Sequence, residues 1–319
     1  MTDTGDAAAA GTIPARGPVP AEAFPATDAD CAGFAAALGL PGYLDVHVHF
    51  LPERLQQAVW AFFDRLDDPP WPITYRDDEP TRLATLRELG VVAHPALAYG
   101  HRPGVAEWCN NHTLALAEAH EQVLPTFTFF PEDGVERYVA AAIRRGGRIA
   151  KVHLQVGRFH PDDPALDRVW PQLVEAQVAV VIHASAVYGV QGGADYCGPA
   201  GITRLLDRFP GLTLLVAHLG APDPDAAFVT LAETYPGLYL DTAMVLTDPP
   251  YLESLDSEPP DRNARLAALA RDGKLLFGSD FPTIPHPYAA QVRGLAQLRL
   301  DAAGLSSLLH DSAQSLLGR

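Results

Sequence analysis

Tyr43-Leu44-Asp45-Val46-His47-Val48-His49-Phe50 is a short β-rich run that closes on two histidines one position apart. Side chains alternate between the faces of a strand, so Leu44, Val46 and Val48 share one face and Asp45, His47 and His49 the other. Seven further apolar runs follow: Val91–Tyr99, Val123–Phe130, Arg148–Gln155, Val178–Ala184, Leu212–His218, Leu238–Thr242 and Lys274–Asp280. Between them lie amphipathic stretches such as Pro80–Leu89, Ala106–His120, Gly134–Arg145, Asp163–Ala176, Pro199–Phe209 and Asp225–Tyr235. Eight strands alternating with helices predict an α/β fold, a (β/α)8 TIM barrel over residues 43–319. The competing doubly wound sheet would open with a glycine-rich first turn, which is missing here.

Residues 1–42 stand outside that repeat. The first 27 are Ala, Pro, Gly, Asp and Thr without an apolar period, which predicts a disordered leader, and a short helix is expected around Cys31–Leu40. Leu55–Asp78 carries Trp60, Phe62, Phe63, Trp71 and Tyr75, too apolar for a loose loop, and is expected to form a flap over the barrel mouth. Thr247–Asp261 is either a second cover or a solvated connection. In the 319 residues, Lys+Arg 23 stand against Asp+Glu 39, for a net charge of -16. That balance argues against nucleic acid and anionic membranes as partners, since both reward clustered positive charge. No window approaches a membrane-spanning length, the N-terminus has no signal-like pattern, and Cys31, Cys109 and Cys197 are odd in number and far apart. A soluble protein of the reducing cytoplasm is the expectation.

Polar residues collect at one end of the predicted ring. His47 and His49 close the first strand, His183 the fifth, His218 the sixth and Asp280 the eighth, all at C-terminal ends, where barrels of this type carry their chemistry. Lys151, His153 and Gln155 face inward from the fourth strand while Val152 and Leu154 face the helices. A single histidine there reads as a hydrogen-bonded core residue. Several imidazoles and a carboxylate buried together need a partner, and a divalent cation satisfies them directly.

Four segments resemble the amidohydrolase superfamily, in the branch containing aminocarboxymuconate-semialdehyde decarboxylase. They are Leu44–Pro52, Val180–His183, Leu215–Gly220 and Leu276–Pro282, in matching order and spacing. The resemblance implies His47, His49, His183 and Asp280 as ligands of one divalent ion, with zinc ahead of manganese or iron, and His218 as the catalytic histidine. His310–Leu317 is similar to the family's closing helix, with Ser312-Ala313 where Asn-Ala is common. Some branches carbamylate a lysine on the fourth strand to bridge two metals, but Ala150–Leu154 is similar to the mononuclear branch. Lys151 is therefore expected to pair with Asp45 or with a substrate anion.

A metal-activated water, Asp280 as proton acceptor and His218 as an oxyanion or water partner suit hydrolysis of an amide, ester or lactone of a small molecule. Non-oxidative decarboxylation of a small carboxylic acid uses the same residues and is the second expectation; a metal-binding barrel without turnover is the third. Lys151, His153, Gln155, Arg158 and Tyr99 are candidates for substrate contact, since guanidinium and ammonium groups suit an anion. A homodimer is a family-like expectation.

Overall fold

The computed structural model describes residues 13, 14, 16–67, 70–186, 190–221, 226–248 and 261–318. Strand segments occupy all eight predicted runs: β1 (Tyr43–Leu44), β2 (Val91–Pro95), β3 (Val123–Leu124), β4 (Thr126–Thr128), β5 (Ile149–His153), β6 (Ala179–His183), β7 (Thr213–Val216), β8 (Leu238–Asp241) and β9 (Leu275–Leu276). They pair in parallel and in chain order, β1 to β3 in one sheet and β4 to β9 in the other. The third predicted run is split by Pro125, which has no N–H to give to a ladder. Its carbonyl still accepts from Arg148 N (3.0 Å) and Ile149 N (3.3 Å), so the chain itself joins the two sheets. The remaining seam is bridged by Val46 N to Phe277 O (2.9 Å), Asp280 N to His47 O (2.7 Å) and His49 N to Phe281 O (2.7 Å). The sheet is thereby wound into the (β/α)8 TIM barrel.

Alternation along the strands builds two layers. Leu44, Val46, Leu97, Ile149, Ala179, Val181, Leu215 and Leu276 form an apolar cluster inside the ring, its floor. Ala313 and Leu317 of the C-terminal helix Ser312–Leu317 close that floor from below. Val152, Val180, Ile182, Leu214, Val216, Leu238 and Leu240 point outward into the main core beneath the helices. Two residues on from Ile149 and Val181, Lys151 and His183 continue the interior face of β5 and β6 above the apolar floor, and His153 follows Lys151. The first run departs from strict alternation. Leu44 and Val46 both join the floor, the chain bends at Val46, and Val48 joins the outer core instead.

The predicted helices form at α1 (Cys31–Ala37), α3 (Glu79–Glu88), α4 (Val105–Ala119), α5 (Val135–Arg144), α7 (Trp170–Glu175), α8 (Pro199–Arg208) and α9 (Ala227–Thr234), with α2 (Glu53–Phe63) inside the expected flap and a short α6 (Leu154–Gly157) after β5. Local signals start them: Asp78 caps α3 through Oδ1 to Thr81 N at 3.0 Å, with Pro80 in its first turn. Among the described residues no helix is long and apolar enough to cross a membrane.

The leader differs from expectation over residues 17–27. Val19 and Phe24 are buried, Val19 N bonds Leu300 O at 2.9 Å, and Phe24 packs on Phe34 with ring centroids 4.9 Å apart. Just beyond, Asp28 accepts from Ala289 N (2.9 Å) and from the Tyr75 hydroxyl. Two apolar side chains are enough to dock a short segment when backbone bonds fix it, though too few to make a period. The aromatic flap is tied down as well. Trp71 Nε1 donates to Thr283 O (2.9 Å), Thr74 N to Ile284 O (2.9 Å), and Tyr75 packs on Phe281. It therefore braces the loop that follows Asp280. The second expected cover lies largely outside the described residues, at 249–260.

Candidate metal centre and active site

Six side chains from five strand ends form a closed ring of aromatic contacts around the barrel mouth. From His49 the ring runs to His47 (centroids 5.1 Å), His218 (4.7 Å), His183 (4.9 Å), His153 (4.0 Å), Tyr99 (5.2 Å) and back to His49 (6.1 Å). The tightest pair, His153 and His183, follows from register, because these residues are direct partners across β5 and β6.

Within the ring, the hydrogen bonds of each imidazole assign its proton. His47 Nδ1 donates to Asp241 Oδ2 at 2.8 Å and His49 Nδ1 to Leu97 O at 3.1 Å. Both rings therefore turn Nε2 toward Asp280, with Lys151 Nζ 3.3 Å from that of His47. The two Nε2 atoms lie 3.2 Å apart, and Asp280 Oδ1 lies 3.5 Å from His47 Nε2 and 3.1 Å from His49 Nε2. Two imidazole nitrogens and a carboxylate oxygen thus converge on one point, an arrangement that a divalent cation satisfies directly. Donors bonded at about 2.0–2.2 Å to one ion stand about 3–3.6 Å apart, so the triangle has the edge lengths of a coordination shell. The residues present fit a divalent metal.

Among the described residues, compact donor groups of three are this trio and His47 with His218 and Asp241. In the second group, Asp241 already accepts from His47 Nδ1, His218 N (2.8 Å) and Ala243 N (3.1 Å), so it is a hydrogen-bond hub. His183 belongs to neither group. Its Nε2 lies 3.4 Å from Ser185 Oγ, with its ring beside His218.

His218 ends the β7 run with Nδ1 directed at Ala243 O (3.0 Å), which leaves Nε2 as its free nitrogen. His218 and Asp280 both adopt left-handed backbone angles, φ 56° and 67°. Such strain costs non-glycine residues about 1–3 kcal/mol and is retained where the surroundings hold it. Here Asp241 grips the His218 amide, and His47 O accepts from Asp280 N at 2.7 Å.

Electrostatics follow from burial. Desolvation holds His47, His153 and His183 below the usual imidazole range, so they are neutral nitrogen donors. Burial pushes the Asp280 carboxyl up, but the contact with His49 and the neighbouring imidazoles of His47 and His218 bring it below the ordinary carboxylate range. Burial raises Asp241 against the pull of His218 and Lys151. Lys151 is fully buried, its amine brought down to about 8 by desolvation, and its Nζ lies 3.3 Å from His47 Nε2.

The expected Lys151–Asp45 pair is not formed. Asp45 Oδ1 accepts from His47 N and Ser279 N (3.0 Å each) and Oδ2 from Tyr288 OH (3.0 Å), so it clamps the segments that carry His47 and Asp280. The other substrate candidates separate. Tyr99 and His153 join the ring, and Val156 N–H approaches His153 Nδ1 (3.5 Å), turning the His153 Nε2–H toward other partners. Gln155 Nε2 donates to Gly192 O (3.2 Å), and the exposed Arg158 donates from Nη2 to Gln191 O (3.2 Å), so both hold the loop after β6. Asp241 and Ser185 were missed by the sequence reading, although the parity test applied to Leu238–Thr242 puts Asp241 inward beside Tyr239.

Gly278 sets how closely these groups approach. A Cβ there would lie 2.8 Å from His47 Cβ and 3.3 Å from Asp241 Cβ. Neither neighbour is a flexible tip, so Gly278→Ala is expected to cost about 1–3 kcal/mol and to weaken metal binding together with stability. Thermal melts and metal titration of the variant check this; unchanged values in both would refute the close approach.

A family model described as amidohydrolase matches residues 44–319. A 6-methylsalicylic acid decarboxylase of Penicillium expansum is 24% identical over 284 residues, covering 76% of this chain and 86% of the relative. Among solved structures, 5-carboxyvanillate decarboxylase from Sphingomonas paucimobilis is similar with TM-score 0.59 at 17% identity, covering 86% of this chain and 98% of that one. A 2,6-dihydroxybenzoate decarboxylase from Rhizobium gives TM-score 0.59 at 16% identity, covering 87% and 98%.

Proposed function

Because this chain belongs to the amidohydrolase family, with named enzymes among its relatives, we propose that it is a divalent-metal-dependent decarboxylase of a small aromatic acid bearing a hydroxyl next to the carboxylate. The observation that carries the reading is the triangle of His47 Nε2, His49 Nε2 and Asp280 Oδ1, closed in by the ring that contains His218. The relatives support the second of the two chemistries expected from the sequence. Hydrolysis is supported by the family as a whole, whereas the three named relatives are decarboxylases of aromatic acids with an ortho hydroxyl, so the order of the expectations reverses.

His47, His49 and Asp280 would hold the ion, with His183 as the fourth candidate; zinc is favoured by the imidazole-carboxylate set. When bound, the ion supplies a Lewis acid that anchors anionic substrate oxygens. The ortho hydroxyl feeds electron density to the ring carbon carrying the carboxylate, which lets that carbon take a proton. The C–C bond then breaks, its electron pair restores the aromatic ring, and carbon dioxide leaves. One proton is consumed. His218 carries it at Nε2, because Ala243 O holds the Nδ1 proton in place. His153 offers an Nε2–H to a substrate oxygen, Tyr99 covers the ring edge, and Lys151 adds a cation beneath His47. Gln155 and Arg158 shape the entrance by fixing the 190–193 loop. The free cysteines fit a cytoplasmic setting, and a homodimer remains part of the proposal.

The test is a panel of ortho-hydroxybenzoates, 6-methylsalicylate included, run beside amides, esters and lactones with carbon dioxide trapped quantitatively. Stoichiometric release from the aromatic acids, abolished by a chelator and restored by added Zn²⁺ or Mn²⁺, is expected. Turnover of a carbonyl substrate with no carbon dioxide from any acid would overturn the reading in favour of hydrolysis.

A further inference from the structure

We infer that Asp241 is a positioning residue that sets the tautomer of His47 and the placement of His218 at once, an inference that rests on the proposed metal centre. Its side chain is completely buried, and its two oxygens serve different partners. Oδ2 takes the His47 Nδ1 proton at 2.8 Å; Oδ1 takes the amides of His218 (2.8 Å) and Ala243 (3.1 Å). An ionised carboxylate only accepts. His47 must then keep its proton on Nδ1 and aim its lone pair, on Nε2, at His49 and Asp280.

The same carboxylate anchors the left-handed turn at His218, and the backbone angle there places the His218 ring 4.7 Å from that of His47. Ala243 completes the grip, its amide on Asp241 and its carbonyl on His218 Nδ1. A single group on β8 thereby orients a ligand histidine from the β1 run and the proton carrier from the β7 run. Gly278 makes room for it against His47. The partners of Asp241 are all protein N–H groups, which is why it orients ligands and is not one itself.

Asp241→Asn is nearly isosteric and separates the two functions. If its oxygen stays on the two amides, its NH2 meets His47 Nδ1, which must offer a lone pair and shift its proton to Nε2. In full-length protein we expect Zn²⁺ affinity to fall about 10- to 100-fold, the usual cost of losing such an orienting partner. Long-range ¹H–¹⁵N spectra of the metal-free chain are expected to show His47 protonated at Nδ1 in the wild type and at Nε2 in the variant. A purely structural role would move the melting temperature without moving that proton.

Wild-type Zn²⁺ affinity in Asp241→Asn with the His47 proton still on Nδ1 overturns the inference. So does a wild-type spectrum with the proton on Nε2, which would mean that Asp241 donates; this arm stands even where the variant fails to fold. Full metal retention by His47→Ala would instead overturn the metal centre itself, so the two failures are distinguishable.

Discussion

His218→Ala is expected to bind metal at the wild-type level while turning over about 10²- to 10⁴-fold more slowly, the usual range for losing a general acid or base. The separation follows from geometry. The triangle consists of His47, His49 and Asp280, and its orienting bonds run to Asp241 and Leu97. His218 contributes none of these atoms. It sits one ring away from His47 with a single free nitrogen, poised to hold a proton but not needed to hold an ion. Metal analysis and steady-state rates on the same preparation check the claim. Normal turnover would remove His218 from the chemistry, and lost metal would make it a ligand.

Asp280→Ala is expected to abolish both metal binding and turnover, a larger effect because two functions fail together. Asp280 supplies the only anionic member of the triangle. Without it, two imidazoles 3.2 Å apart are left to compete with water for the ion. Asp280→Asn keeps the shape but removes the charge, and it too should lose metal. His47→Ala should behave in the same way. Retention of stoichiometric metal by Asp280→Ala would count against the trio as the binding site.

Much of the fold was legible because barrel strands are short apolar runs whose register is enforced by burial on both faces. The inward positions of Lys151, His153 and His183 followed from alternation alone, whereas Asp280 lies past β9 in a left-handed turn. Where the reading missed, a contact remote in sequence decided the outcome. Pro125 splits one run in two because it lacks an N–H. Val19 and Phe24 dock the leader without a period, since Leu300 and Phe34 supply their partners. Asp45 cannot serve Lys151 because the amides of His47 and Ser279 and the Tyr288 hydroxyl already occupy it. Asp241 looks like any strand-end carboxylate until the fold brings the His218 amide, 23 positions earlier, onto its oxygen. Substrate choice is the least legible property, because hydrolysis and decarboxylation draw on the same donors.

Anomalous diffraction from crystals of the full chain grown with Zn²⁺ tests the centre most directly. The account predicts one strong peak within about 2.0–2.2 Å of His47 Nε2, His49 Nε2 and an Asp280 oxygen together. A peak held by other side chains, or none at saturating Zn²⁺, would contradict it.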